Sequence, residues 1–378
     1  MEGQKNFCVV PIHFTSLSRY FFASFSCNNA AFIHHYFLLS LEKSYKPTTG
    51  VFVKLQPVNL LVALTFIIAV PAQASEVVIQ DKNRINSAQV NHKPDIEDYD
   101  TLNYIGLDKA KQQLSVYQNK SKVVYDKYIY KRNISYGLGP REKFDHFHNP
   151  DFSHKDTRGV FIFIHGGYWQ GEVKETYAFI GEKLLEKNID VMLIEYDLTK
   201  ENMVNGKLTP RVSMTALVNQ VGRALDTIQT YMKDNNMPEM PVYLSGHSAG
   251  GHLAAYWKDH PAINSAVLSI SGLFDLSPIA TTKKIGTALQ LSENEIVNFS
   301  PINNIHPANK TSLPIYIYYG GDEQPELKEQ SLNYSNKLQR YNYNISLTEV
   351  DNANHLEILA SLFTKPDSDF FTHINKNS

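Results

Sequence analysis

Short apolar runs rich in β-branched and aromatic side chains recur from about residue 159 onward. Residues 159–164 (GVFIFI), 190–196 (DVMLIEY), 241–244 (PVYL), 266–270 (AVLSI), 314–319 (PIYIYY) and 345–350 (ISLTEV) read as strands. The runs are continuous rather than alternating, which predicts strands buried on both faces. Helical spacing fills the gaps, over 174–187, 212–232, 249–258, 326–341 and 355–363. This regular alternation predicts βαβ units: a single α/β domain whose mainly parallel sheet is flanked by helices.

Upstream the pattern changes. Residues 58–70 (VNLLVALTFIIAV) form an uncharged apolar run, preceded by Lys54 and followed by Pro71 and Ala72-Gln73-Ala74. A positive flank, a short apolar stretch and a small-x-small site are what a signal peptidase reads. We therefore expect a signal peptide over 51–74, cleaved after Ala74, and an exported protein, periplasmic or secreted. Residues 1–50, without clear periodicity, read as an upstream extension outside the fold. Residues 75–98 are polar and read as a flexible leader, leaving 99–378 for the domain.

Composition narrows the partners. With 36 basic and 38 acidic residues the formal charge is -2, which excludes the basic footprint of a nucleic-acid binder. Beyond the signal segment nothing calls for a membrane. Cys8 and Cys27 are the only cysteines, so the domain has neither a disulfide nor a cysteine metal site. No glycine-rich phosphate loop with its lysine follows any strand. His146, His148 and His154 cluster in what reads as a polar loop with no carboxylate at ligand spacing, so no metal and no cofactor are expected. The expected partner is a small molecule.

The chemistry concentrates at residues 242–253 (VYLSGHSAGGHL). Gly246-His247-Ser248-Ala249-Gly250 matches G-x-S-x-G between a predicted strand and a predicted helix, the context in which a sharp turn exposes a nucleophilic serine. Glycines two positions either side leave room for the turn. The Ala249 N–H, at the helix start, is a candidate oxyanion donor. Such a serine needs a base and an orienting acid, in the chain order serine, acid, histidine. His355 follows the last predicted strand and is the candidate base. His247, His252 and His260 lie too near Ser248 in sequence, and His306 precedes a proline in an irregular stretch. Gly320-Gly321-Asp322-Glu323 closes the strand before it and offers two acids, Glu323 preferred and Asp322 as the alternative. His165-Gly166-Gly167-Tyr168-Trp169 follows 159–164, so the N–H groups of Gly167 and Tyr168 are the other expected oxyanion donors. Gly166 and Trp169 are expected to line the substrate pocket.

These residues, with 134–147 (ISYGLGPREKFDHF), HGGYWQ, GHSAGGHL, SGLFDLSP and GGDEQPELKEQS, resemble the arylformamidase (kynurenine formamidase) branch of the α/β-hydrolases from about Tyr99 onward. The resemblance implies the α/β-hydrolase fold, hydrolysis of an N-formyl aryl amide or a small ester, no cofactor, and Ser248, Glu323 and His355 in the catalytic positions. Glu323 stands where the branch often has Asp, and Leu356 where an aromatic commonly follows the histidine. Residues 200–214 replace a shorter connection. Two alternatives stand beside a formamidase: a broad carboxylesterase of the cell envelope and a hydrolase fold retained for binding.

Overall fold

The computed structural model describes residues 97–376 apart from 205 and 238, together with an antiparallel pair of three-residue strands, Phe7–Val9 and Ser24–Ser26. The expected signal peptide at 51–74 and all but the last two residues of the expected leader at 75–98 lie outside the described residues.

Eight strands form one sheet: β1 (Ile129–Ser135), β2 (Lys143–Phe147), β3 (Gly159–Ile164), β4 (Ile189–Ile194), β5 (Val242–His247), β6 (Ala266–Ile270), β7 (Ile315–Gly320) and β8 (Ile345–Val350). Their order is β8-β7-β6-β5-β3-β4-β2-β1. The β1–β2 and β2–β4 pairings are antiparallel, and all the others are parallel. The main helices are α1 (Leu107–Tyr128), α2 (Met214–Asp234), α3 (Ala249–Tyr256), α4 (Pro325–Arg340) and α5 (Glu357–Phe363).

The continuous apolar runs are explained by burial on both faces. In β3, Val160, Ile162 and Ile164 enter one core, which includes Leu217, Val221 and Leu225 of α2. Phe161 and Phe163 enter a second core on the opposite face, with Leu359 and Phe363 of α5. β8, at the sheet edge, is the exception and stays half-exposed. Ser213 caps α2 by accepting from the Ala216 N–H at 3.1 Å, which satisfies one of the amides orphaned at a helix start.

Three parts of the fold lie outside the predicted pattern. β1 is a largely exposed edge strand, and β2 carries charge inside a buried one: Asp145 is fully buried and accepts from Tyr125 Oη at 2.5 Å, from Asn133 N at 2.6 Å and from Lys174 Nζ at 3.0 Å. A hydropathy pattern cannot register a strand whose polar groups are satisfied by distant partners. α1 buries Ala110, Tyr117, Ser121, Val124 and Tyr128, a face too polar to read as amphipathic. Residues 200–214 contain a ribbon of Asn202–Val204 and Lys207–Thr209.

The chain leaves β3 for β4 on one side and returns to β5 on the other, so strand order reverses between β3 and β5. Open α/β sheets bind ligands in the crevice outside the carboxyl ends of the strands at such a switch point.

Candidate active site

Ser248 stands at that crevice, between β5 and α3. Its φ of 56° and ψ of -118° are strained for a residue with a side chain, and its N–H donates to Ile270 O of β6 at 2.8 Å. The tightness of the turn accounts for its glycines. A Cβ on Gly246 would strike the Gly250 carbonyl, and one on Gly250 the Ile164 carbonyl of β3. Ser271, just past β6, also has positive φ (48°), as do Tyr168 (50°) and Trp169 (56°) past β3. Four strained non-glycine residues at neighbouring strand ends mark this edge as a place where the fold holds side chains against their local preference.

The acid and the histidine meet. His355 Nδ1 donates to Glu323 Oε1 at 3.2 Å, and both residues are at least 95% buried. Ser271 Oγ donates to the same Oε1, while Glu323 Oε2 is buried with no hydrogen-bond partner. Asp322 is exposed, its backbone N–H on Ala353 O at 3.0 Å, so it is Glu323 and not Asp322 that reaches the imidazole. Among the described residues no hydrogen bond links Ser248 Oγ to His355. The two are joined one residue away instead: His247 Nε2 donates to the His355 carbonyl at 2.7 Å, with ring centroids 4.6 Å apart. Burial, and then the neighbouring His355, hold His247 far below its ordinary pKa, so it is a neutral strut under the loop that carries His355.

Past β3, Gly167 has φ 100°, and a Cβ there would lie 2.5 Å from Gly171 O. A Cβ on Gly166 would come within 3.1 Å of Ser248 Cβ, so this loop runs directly against the serine. Ala249 opens α3, where the first-turn amides have no partner inside the helix. Trp169 departs from expectation. It is fully buried in the core and packs edge-on against His252, ring centroids 5.0 Å apart, rather than walling an open pocket. The left-handed turn at Tyr168–Trp169 accompanies that placement.

Three groups were not legible as parts of this site. Ser271 opens the SGLFDLSP stretch but had no role assigned to it, and the available signal was its position at the end of a predicted strand, shared with the other site residues. His247, set aside as a base because it adjoins Ser248, touches His355 through the latter's backbone. The third is the segment before α1. Tyr168 Oη donates to Tyr99 O at 2.7 Å and lies 2.8 Å from Thr101 Oγ1, which donates to Gln324 Oε1 at 3.1 Å. Gln330 Nε2 donates to Tyr99 Oη at 3.0 Å, and Lys284 Nζ pairs with Asp100 at 2.9 Å. The start of the domain thus straps the Tyr168 loop to the loop that carries Glu323.

The three clustered histidines also differ from expectation. They are not in a polar loop without a carboxylate: His146 lies on β2, and Asp190, from β4, stands among all three. The carboxylate is distant in sequence and adjacent only through strand pairing.

Acid should reveal the burial of His252. Its Nε2 donates to Phe299 O at 2.7 Å, and burial pushes its pKa down to about 4. The unfolded chain takes up this proton near pH 6.5, the folded one only near 4. The contribution is therefore intact above about pH 6.5 and lost as pH falls toward 4, by roughly 3 kcal/mol. His252→Gln keeps a donor for Phe299 and removes the titration. Its unfolding free energy should fall less steeply across that window in urea titrations, and an unchanged slope would assign the proton to another group.

A mainly parallel sheet with helices on both faces and a serine on a strained strand-to-helix turn at the switch point define an α/β-hydrolase. The BD-FAE family profile matches residues 147–338, just over half of the chain. Kynurenine formamidase of Salmo salar is 32% identical over 243 residues, spanning 61% of this chain and 76% of that protein, and the Drosophila melanogaster kynurenine formamidase is 26% identical over 60% and 75%. A probable isoprenylcysteine alpha-carbonyl methylesterase of Oryza sativa is 32% identical over 33% of this chain and 27% of its own. In fold the chain is similar to esterase B from Lactobacillus rhamnosis (TM-score 0.54, 13% identity, 71% and 92% covered). It is likewise similar to a truncated carbohydrate esterase from gut microbiota (0.54, 17%, 66% and 95%). The chain belongs to the BD-FAE family, in its kynurenine formamidase-like branch, and is a hydrolase.

Proposed function

We propose that the chain is a serine hydrolase that cleaves an N-formyl aryl amide or a small aryl ester through an acyl-enzyme on Ser248. The observation that carries this reading is the coupling around His355: Nδ1–H on Glu323 fixes the tautomer that leaves Nε2 as a base, while the carbonyl of the same residue is held by His247, next to Ser248. His355 takes the hydroxyl proton as Ser248 Oγ attacks the carbonyl carbon. The N–H groups of Gly167, Tyr168 and Ala249 hold the oxyanion, and His355 returns the proton to the leaving amine or alcohol. Water then attacks the acyl-enzyme by the same route. Glu323 orients and stabilises the imidazolium without taking up the proton. In the unliganded site the serine–histidine bond need not be formed, because such contacts tighten when substrate binds.

The formamide reading is supported by the two relatives named kynurenine formamidase. The ester reading is supported by the similarity to a methylesterase. If the segment at 51–74 exports the protein, the substrate is one met outside the cytoplasm. The test is a side-by-side rate measurement on N-formylkynurenine and p-nitrophenyl acetate. A kcat/KM at least ten-fold higher on the formamide supports an exported arylformamidase. Ester turnover alone makes the protein a small-ester hydrolase, and turnover of neither would overturn the proposal.

A further inference from the structure

The edge of the sheet opposite Ser248 carries a second cluster of chemically active side chains. Asp190 is the second residue of β4, and His148 follows β2, which runs antiparallel to it with Phe147 opposite Val191. His154 opens the short turn His154–Asp156. His146 Nε2 lies 2.8 Å from Asp190 Oδ2, and His148 Nδ1 lies 2.7 Å from Oδ1. His154 Nδ1 lies 3.9 Å from Oδ2, too far to donate. The imidazoles of His148 and His154 stack at 3.7 Å.

The surroundings of His148 are unusual for a neutral ring. Its Nε2 faces the Phe152 carbonyl at 3.0 Å and its Nδ1 faces a carboxylate oxygen. Both partners are acceptors, whereas a neutral imidazole has a single N–H to give. Something positive must therefore sit between Nδ1 and Asp190: at 2.7 Å it is a proton, the place a bound cation would take as the two groups part. Nε2–H on a backbone carbonyl is also how a metal-bound histidine is oriented. His146 braces the same carboxylate, its other nitrogen 3.0 Å from Tyr231 Oη, as an outer partner would.

We propose that His148, His154 and Asp190 form a site for a divalent transition metal of the zinc type. One ligand atom from each lies within 4.8 Å of the others. Tetrahedral zinc, with bonds of about 2.0–2.2 Å, places its ligands about 3.3 Å apart. Two small shifts reach that spacing: His148 Nδ1 and Asp190 Oδ1, 2.7 Å apart, must open slightly, and His154, whose side chain is one-third exposed on a three-residue turn, must move in. Two imidazoles and one carboxylate favour zinc over calcium or magnesium, which take oxygen ligands. A cavity of about 630 Å³ lined by His148, His154, Tyr130 and Phe152 gives access and leaves a fourth position to water. The metal would pin β2, β4 and the His154 turn together, away from the serine site.

The test is calorimetric titration of the chelator-stripped full chain with zinc chloride, beside His154→Phe, which keeps a ring to stack on His148 but supplies no nitrogen. The expected result is one zinc per chain in the parent, bound at least ten-fold more weakly by the variant. His154→Ala should show the same weakening, which covers a failure of the larger ring to fit. No zinc bound by the parent, or a loss smaller than ten-fold in the folded variants, would overturn the proposal.

Discussion

Ser248→Ala should lower kcat by about 10⁴-fold or more on whichever substrate the enzyme prefers, and leave its thermal midpoint within a few degrees of the parent. The size follows from the proposed role: removing the nucleophile of a serine triad leaves only what binding and the oxyanion donors achieve by themselves. The small effect on stability follows from the backbone. The strain at position 248 lies in its φ of 56°, which alanine must adopt as serine does. Loss of one oxygen from a site held open by two glycines creates little cavity. The parent should also be labelled at Ser248 by an organophosphate probe and the variant should not. A variant that keeps more than a few per cent of the activity would remove Ser248 from the centre of the mechanism and favour a fold kept for binding.

Glu323→Gln should lower kcat by about 10³- to 10⁴-fold while Asp322→Asn changes it less than three-fold, an asymmetry between adjacent carboxylates. A glutamine can present its amide N–H₂ to His355 Nδ1, which stabilises the tautomer with the proton on the wrong nitrogen for accepting one from serine. Ser271 compounds the effect, because it donates to the same oxygen and is left facing an altered partner. Asp322 is exposed and touches the fold through its main chain. Steady-state kinetics on both variants decides the matter. Equal losses would mean that the loop as a whole is sensitive, and the reverse order would move the acid to Asp322.

How far this site was legible depended on whether its parts are local. The turn around Ser248 is local: its glycines, strand and helix are contiguous, and the crowding that demands them is against their own neighbours and β3. His355 and Glu323 were legible as positions because each closes an apolar run, but the choice between two adjacent acids needed the fold. Ser271 and His247 act through contacts 52 and 108 residues away in sequence, and no spacing encodes them. The same holds for β2, where Asp145 and His146 break the apolar pattern and are satisfied by Lys174 and Asp190. Trp169, next to the glycine loop, is fully buried in the core with its indole N–H unpartnered, a placement that its local sequence does not encode.

The strap formed by Tyr99 and Thr101 changes where the working unit of this chain begins and ends. A fragment cut to the family match at 147–338 would keep Ser248, Glu323 and the glycine loop, yet lose His355 at one end and, at the other, the hydroxyl and carbonyl that hold Tyr168 and Gln324. Its most recognisable sequence would survive, with the loops on either side of the serine untethered. The boundaries of the enzyme are thus set by the two ends that close over the motif, and relatives that differ ahead of the first helix can differ in how firmly that closure is held.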